Sequence, residues 1–133
     1  MRARVLAFLV VAACSSGSNG SVATTFPITL TSDSGALRLE LTATPDPPAV
    51  GTDTFELTIS NVSDGSPRDD MTVKMTPFMP SMGHGTATTT VSPLGGGKYR
   101  VTDVYLFMPG TWELETTFSG PLSDHATPTF ELQ

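Results

Sequence analysis

The chain has 133 residues with 7 Lys and Arg against 13 Asp and Glu, a formal net charge of −6 at pH 7, and a single cysteine. This acidic balance excludes nucleic-acid binding, which needs a basic face, and argues against electrostatic docking on anionic lipid. The length suits one small domain. Because one cysteine cannot form an internal disulfide, a hydrophobic core must hold the domain together.

The first fourteen residues have the pattern of an export signal. Arg2 and Arg4 form a basic start, and an uncharged apolar run of nine residues, from Val5 to Ala13, follows them. A helix needs about 20 residues to span a bilayer, so this run is too short, but it has the length of a signal-peptide core. The tetrad Val-Ala-Ala-Cys that ends at Cys14 resembles the lipobox of bacterial lipoproteins.

By that resemblance, residues 1–13 are a lipoprotein signal peptide, and the sulfur of Cys14 carries a diacylglycerol. The lipid would hold the protein on a bacterial membrane, facing the periplasm or the exterior. The alternative is an ordinary secretory signal with a chance cysteine. Without residues 1–13 the net charge is −8. Residues 14–25, rich in Ser, Gly and Thr, are predicted to be a flexible tether to a domain at residues 26–133.

Beyond the tether, apolar and polar residues alternate with a period of two, which is the pattern of half-buried strands. Turn signals at residues 45–48, 64–65, 95–97, 109–110 and 120–121 separate these runs. About seven short strands at this spacing predict an all-β fold, an immunoglobulin-like antiparallel β-sandwich. The residues predicted to face its core are Leu37, Leu39, Leu41, Phe55, Leu57, Ile59, Val73, Met75, Trp112, Leu114, Phe130 and Leu132.

The sequence offers little for catalysis. It has no Gly-x-Ser-x-Gly motif. Asp69 and Asp70 are adjacent in a predicted turn, and on extended chain their carboxylates point apart. Residues 95–97 are three glycines without the Lys-Ser/Thr of a phosphate-binding loop, so they predict a hairpin turn. We therefore expect no enzymatic activity.

Three other residues with distinctive chemistry have ordinary structural explanations. His125 follows a late predicted turn and is expected at the surface. Tyr99 and Trp112 are expected in the core, and a buried indole N–H needs a hydrogen-bond acceptor. These residues are therefore not our leading candidates for a functional site.

Residues 77–85, Pro-Phe-Met-Pro-Ser-Met-Gly-His-Gly, stand out from the rest of the chain. The prolines and glycines predict a loop here rather than a strand, so Met79, Met82 and His84 are not simply core residues. Thioether sulfurs are soft donors that suit Cu(I), and imidazole binds both Cu(I) and Cu(II). Pro80 and Gly83 allow the backbone to turn so that these donors converge. Met108, in a second predicted turn, is a candidate fourth ligand.

These residues also carry a family resemblance. Residues 77–84 read Pro-x-Met-Pro-x-Met-Gly-His, residues 97–99 read Gly-Lys-Tyr, and residues 106–114 read Leu-Phe-Met-Pro-Gly-Thr-Trp-Glu-Leu. Over residues 35–132 the chain resembles the YtkA-like domain, which is related to FixH proteins and similar in fold to CopC-like copper carriers. The resemblance implies an immunoglobulin-like sandwich in the bacterial envelope. The family's association with copper handling and oxidase assembly implies that copper is bound by Met79, Met82, His84 and Met108.

Two functions of different classes follow from these features. The first is an envelope lipoprotein that binds copper, as Cu(I), and acts as a carrier or chaperone for a copper-accepting envelope protein or an oxidase assembly factor. Its affinity would fall at low pH, because a protonated His84 cannot bind metal. The second is an immunoglobulin-like protein-interaction module of the cell envelope without metal. In that case Met79 and Met82 cap one end of the core, and His84 is a surface turn residue.

Overall fold

The computed structural model describes residues 22, 23 and 25–133. The predicted signal peptide, the predicted lipidation site Cys14 and most of the predicted tether lie outside these residues. Within the described part, no helix is long and apolar enough to cross a membrane. The elements are β1 (Ile28–Thr31), β2 (Leu37–Thr44), β3 (Gly51–Asn61), β4 (Thr72–Met79), a 3-10 turn (Pro80–Met82), β5 (His84–Gly85), β6 (Thr90–Gly95), β7 (Lys98–Leu106), β8 (Gly110–Ser119), β9 (Asp124–Ala126) and β10 (Thr129–Leu132).

The strands form two antiparallel sheets. The first has the order β1-β2-β3-β7-β6, and the second has the order β10-β8-β4-β5. β9 also pairs with β8, along residues 116–118, while β10 pairs with residues 110–113 of the same strand. The two sheets form a sandwich, so the prediction of an all-β antiparallel sandwich is confirmed.

Alternation of apolar and polar residues explains the central strands. Along β2, Leu37, Leu39 and Leu41 are buried and the residues between them are exposed. β3 repeats this pattern, and all twelve residues predicted to face the core are buried. Burial of each large apolar side chain contributes about 1.5–3 kcal/mol, so this shared interior is the main source of stability.

Two strands lack the regular pattern for physical reasons. In β7 the buried positions change phase, from Tyr99 and Val101 to Val104 and Leu106, because a bulge intervenes where Asp103 has a φ of 62°. β6 contains Pro93 and is largely exposed, since it is the edge strand of the first sheet and is held by backbone pairing to β7. Proline is tolerated at such an edge.

The strand registers define the two ends of the sandwich. Gly51 pairs with Leu106 and Gly110 pairs with Leu132, so the loops beside these residues lie at one end. We call residues 44–51, 79–85 and 106–111 the methionine end. At the opposite end Leu37 pairs with Asn61 and Thr72 pairs with Ser119. We call residues 32–36, 61–71, 95–98 and 119–124 the carboxylate end.

The chain joins the sandwich just before β1. Ala23 pairs in parallel with Phe130, and its N–H donates to the carbonyl of Thr129 at 2.9 Å. The ring of Phe26 packs against Phe55 and Phe130, with ring centroids 5.9 and 5.5 Å away. Among the described residues, Ala23 therefore already pairs with the sandwich, although it falls within the predicted tether.

Candidate metal site

Met79 is the last residue of β4, and the prediction that it lies in a loop is wrong. The strand continues through Pro77 because Pro77 lies opposite Leu114 in the β8 register, and its carbonyl still accepts a hydrogen bond from Thr86. The side chain of Met79 is only 1% exposed. A β-carbon added to Gly110 would lie 3.2 Å from the terminal methyl of Met79, so this methionine packs directly under the start of β8.

The chain reverses direction immediately after Met79. Pro80 begins the 3-10 turn, and Gly83 ends it in the left-handed conformation with a φ of 68°. The N–H of Gly83 donates to the carbonyls of Met79 and Pro80, at 3.1 and 3.2 Å. This confirms that Pro80 and Gly83 fold the segment back on itself. Met82, at the end of the turn, is 49% exposed.

His84 was also predicted in a loop, but it lies in the short strand β5, directly opposite Met79 in the pairing with β4. Its imidazole is exposed and stacks on the ring of Phe107, with centroids 5.9 Å apart and planes inclined by 17°. Gly85 allows this pairing, because a β-carbon there would lie 2.5 Å from the carbonyl oxygen of Pro77. The glycine therefore fixes how closely β5, and with it His84, approaches β4.

Met108 lies in the turn between β7 and β8, which Trp112 stabilises. The indole N–H of Trp112 donates to the carbonyl of Met108 at 3.0 Å, and Trp112 is fully buried, so both predictions for this residue are confirmed. Phe107 packs edge-on against Trp112, with centroids 5.0 Å apart. The turn is held by its backbone and by Phe107, which leaves the side chain of Met108 36% exposed.

The structure thus brings all four predicted ligands to the methionine end, in two layers. Met82, His84 and Met108 are exposed, and Phe107 connects the last two because it stacks on His84 and precedes Met108. Cα atoms of the 3-10 turn lie within 8 Å of Cα atoms of β8. Met79, at the end of β4, lies beneath them and packs against the start of β8. Three of the donors are therefore accessible, and the fourth is in the core.

The donors fit a soft ion rather than a hard one. In the described part of the chain, no group of three or more His, Cys, Asp or Glu side chains could hold a metal. Neither residues 75–97 nor residues 104–112 contain an Asp, Glu, Lys or Arg. A metal at this end would be bound by thioethers and imidazole on two segments without Asp, Glu, Lys or Arg, and this donor set favours Cu(I).

Asp53, in β3 and bonded to Ala49 of the methionine end, is a residue that sequence reasoning missed. Its side chain is 2% exposed, and one oxygen, Oδ1, accepts a hydrogen bond from the N–H of Ala49 at 3.0 Å. Its other oxygen, Oδ2, is buried without a hydrogen-bond partner among the described residues. Burial raises the pKa of Asp53, and the bond from Ala49 opposes this effect. The sequence did hold a signal for it. Asp53 lies two residues before the inward-facing Phe55, so the period of two along β3 predicts that Asp53 also faces inward.

The remaining sequence candidates have structural roles. The phenol of Tyr99 is buried and donates to the carbonyl of Arg68 at 2.8 Å. Asp70 pairs with Arg68 at 2.9 Å, and Asp69 accepts a hydrogen bond from the N–H of Gly97, so the two carboxylates are used separately. His125 is exposed, as expected. All these residues except His125 tie together loops at the carboxylate end.

These features define a class of protein: an antiparallel β-sandwich domain with thioether and imidazole groups exposed at one end. A family model described as YtkA-like matches residues 31–117, a range that contains all four predicted ligands. The chain belongs to the YtkA-like family, which confirms the resemblance seen in the sequence. No curated protein and no solved structure matches the chain.

Proposed function

We propose that this protein binds copper, as Cu(I), at the methionine end and acts as a carrier or chaperone without catalysis. The observation that carries the proposal is the presence of exposed Met82, His84 and Met108 at one end of the sandwich. Cu(I) prefers thioether sulfur and also accepts imidazole nitrogen. Exposed donors suit an ion that must be transferred to another protein.

Each donor has a distinct role in this proposal. Met82 and Met108 supply sulfur from two separate turns, so the ion links the 3-10 turn to the β7–β8 turn. His84 supplies nitrogen, and its stacking on Phe107 limits how the imidazole rotates. Met79 is a fourth donor only if its sulfur is reached from outside, since its side chain is 1% exposed.

We further propose that Cys14 carries a lipid that holds the domain on a bacterial membrane, where a copper-accepting envelope protein or an oxidase assembly factor receives the ion. The support is the lipobox-like tetrad that ends at Cys14. Metabolic labelling with palmitate tests this step. Wild type is expected to be labelled and Cys14→Ala to be unlabelled, and equal labelling of the two would contradict the anchor.

Competition for Cu(I) against a chelator of known affinity, without oxygen, tests the metal site. The variant Met82→Leu/Met108→Leu keeps side-chain volume and removes two sulfurs, so its affinity is expected to fall on the order of 100-fold. Met75→Leu is the matched control, because Met75 is a fully buried core methionine in the same strand as Met79. Met79→Leu then decides whether the buried sulfur is a ligand.

The second candidate is a protein-interaction module without metal. The observation that favours it is a set of exposed apolar side chains at the methionine end. Adaptable methionines also serve protein recognition. The same titration separates the two functions: weak Cu(I) uptake that is equal in wild type and in Met82→Leu/Met108→Leu would refute the carrier and leave the module. The exposed apolar residues at this end are Val50, Met82 and Met108, and Tyr105 lies one residue before it.

A further inference from the structure

The five methionines that follow the predicted signal peptide are divided sharply by accessibility. Met71, Met75 and Met79 are at most 6% exposed, and all three belong to the hydrophobic core. Met82 and Met108 are the exposed pair, and both lie at the methionine end. Any reagent that attacks a thioether from solvent therefore meets Met82 and Met108 first.

From this division we propose that Met82 and Met108 are an oxidation-sensitive pair that switches metal binding off. The inference rests on the proposed function and names the regulation of the same site. The oxidant is a peroxide of the hydrogen peroxide class. The sulfur takes one oxygen atom and is oxidised by two electrons to a sulfoxide, while the peroxide is reduced and leaves as water or an alcohol.

Oxidation changes the donor type. One of the two sulfur lone pairs forms the S–O bond of the sulfoxide. The remaining pair lies on an electron-poor sulfur and the new oxygen is a harder donor, so both suit Cu(I) poorly. Two of the three exposed donors are then lost. His84 and the buried Met79 remain, and together they hold the ion weakly.

Oxidation of Met82 and Met108 is expected to leave the fold unchanged. The 3-10 turn that contains Met82 has no buried residue. Met108 contributes to the fold through its backbone carbonyl, which accepts the indole N–H of Trp112, and not through its sulfur. A sulfoxide at Met79 would be different, because its terminal methyl already packs tightly under Gly110. Oxidation of the exposed pair therefore acts on the site and spares the core.

Treatment of the metal-free domain with hydrogen peroxide, followed by peptide mass spectrometry, tests the order of oxidation. Met82 and Met108 are expected to become sulfoxides at least about tenfold faster than the three buried methionines. The thermal unfolding midpoint of the doubly oxidised domain is expected to equal that of the untreated domain. Preloading with Ag(I), a soft ion that we use in place of Cu(I) because it resists oxidation, is expected to slow the reaction at both sites.

Affinity for Ag(I) and Cu(I) is then measured before and after oxidation. Oxidation is expected to weaken binding on the order of 100-fold, and sulfoxide reductases for both epimers are expected to restore it. Met82→Leu/Met108→Leu is the control whose affinity, already low, does not change with peroxide. Equal oxidation of buried and exposed methionines, or unchanged affinity after oxidation of the pair, would overturn the inference and leave the proposed function intact. Failure of the untreated domain to bind either ion would refute the proposed function, and this inference with it.

Discussion

The two ends of the sandwich use their polar groups in opposite ways. At the carboxylate end, Asp64 accepts hydrogen bonds from Ser66, Asp69 accepts one from Gly97, and Asp70 pairs with Arg68. At the methionine end, the exposed donors are two thioethers and an imidazole, and the loops around them are almost free of charge. One end therefore uses its polar groups to hold the fold, and the other leaves soft donors accessible to a ligand.

Two buried aspartates show the same contrast. Asp124, at the carboxylate end, is 4% exposed and receives hydrogen bonds from the side chain and N–H of Ser34 and from the N–H of His125. Burial raises the pKa of Asp124, but these bonds and one from Ser32 outweigh it and lower the pKa to about 2. Asp53 is equally buried with a single bond, and its pKa is raised. The number of donors, rather than burial alone, decides which charge the fold stabilises.

The largest effect is expected from Asp124→Ala. Because a buried carboxylate with several hydrogen bonds is lost and its donors are left without an acceptor, the free energy of unfolding should fall by about 3 kcal/mol. Chemical denaturation measures this change. Asp33→Ala removes an exposed carboxylate in the neighbouring turn and should change stability by no more than about 0.5 kcal/mol. Equal losses of stability from the two substitutions would contradict the conclusion that hydrogen-bonded carboxylates hold the carboxylate end together.

The pH dependence of stability tests whether the negative charge of Asp124 stabilises the fold. A carboxylate whose pKa is lowered on folding stabilises the fold above its ordinary value of 3.8, and this contribution is lost as pH falls through 3.8 towards about 2. The difference in unfolding free energy between wild type and Asp124→Ala should therefore be constant above pH 5 and shrink steadily below pH 4. A difference that stays constant down to pH 2 would contradict the role of the charge.

A smaller effect is expected from Gly85→Ala at the methionine end. The added methyl would meet the carbonyl oxygen of Pro77 at 2.5 Å, so β5 must move away from β4. We expect a loss of stability of about 1–2 kcal/mol, and a fall in Cu(I) affinity because His84 moves with the strand. Gly96→Ala is the control, since its φ of 63° imposes backbone strain but a β-carbon there meets nothing within 4 Å. It should lower stability without changing Cu(I) affinity.

Most of the sandwich was predictable because its central strands keep a strict period of two. Leu37 to Leu41 and Phe55 to Ile59 lie inward in the structure in the predicted phase. β7 was harder to recognise, because the bulge at Asp103 changes the phase within one strand. The short β5 and β9 have two and three residues, too few to give a periodic signal.

The residue types at the candidate site were predictable from the sequence, but the burial of each side chain was not. Proline and glycine correctly predicted the reversal after Met79, yet the same rule placed Met79 itself in the loop. The strand extends to Met79 because β8 and β5 pair on either side of it, and sequence-local rules do not include such pairing. The stacking of His84 on Phe107 joins residues 23 positions apart in the chain, so only the fold reveals it.

The smallest expected effect comes from Asp53→Asn, which should stabilise the protein. A carboxyl group whose pKa is raised on folding destabilises the fold once pH rises above its ordinary value of 3.8, because its charge is then favoured in the unfolded chain. Asparagine keeps an oxygen for the N–H of Ala49 and removes the charge. We expect a gain of about 1 kcal/mol at pH 7, measured by chemical denaturation, and no gain at pH 3.

The control for Asp53→Asn is Asp46→Asn, an exposed residue in the same loop region, which should leave stability unchanged at both pH values. A loss of stability in Asp53→Asn at pH 7 that is absent at pH 3 would mean that the unpartnered oxygen Oδ2 has a cationic or donor partner in solution. The methionine end would then stabilise an ionised carboxylate, as the carboxylate end does. A gain at pH 7 would instead show that the methionine end stabilises neutral groups and soft donors, as the contrast between Asp53 and Asp124 predicts.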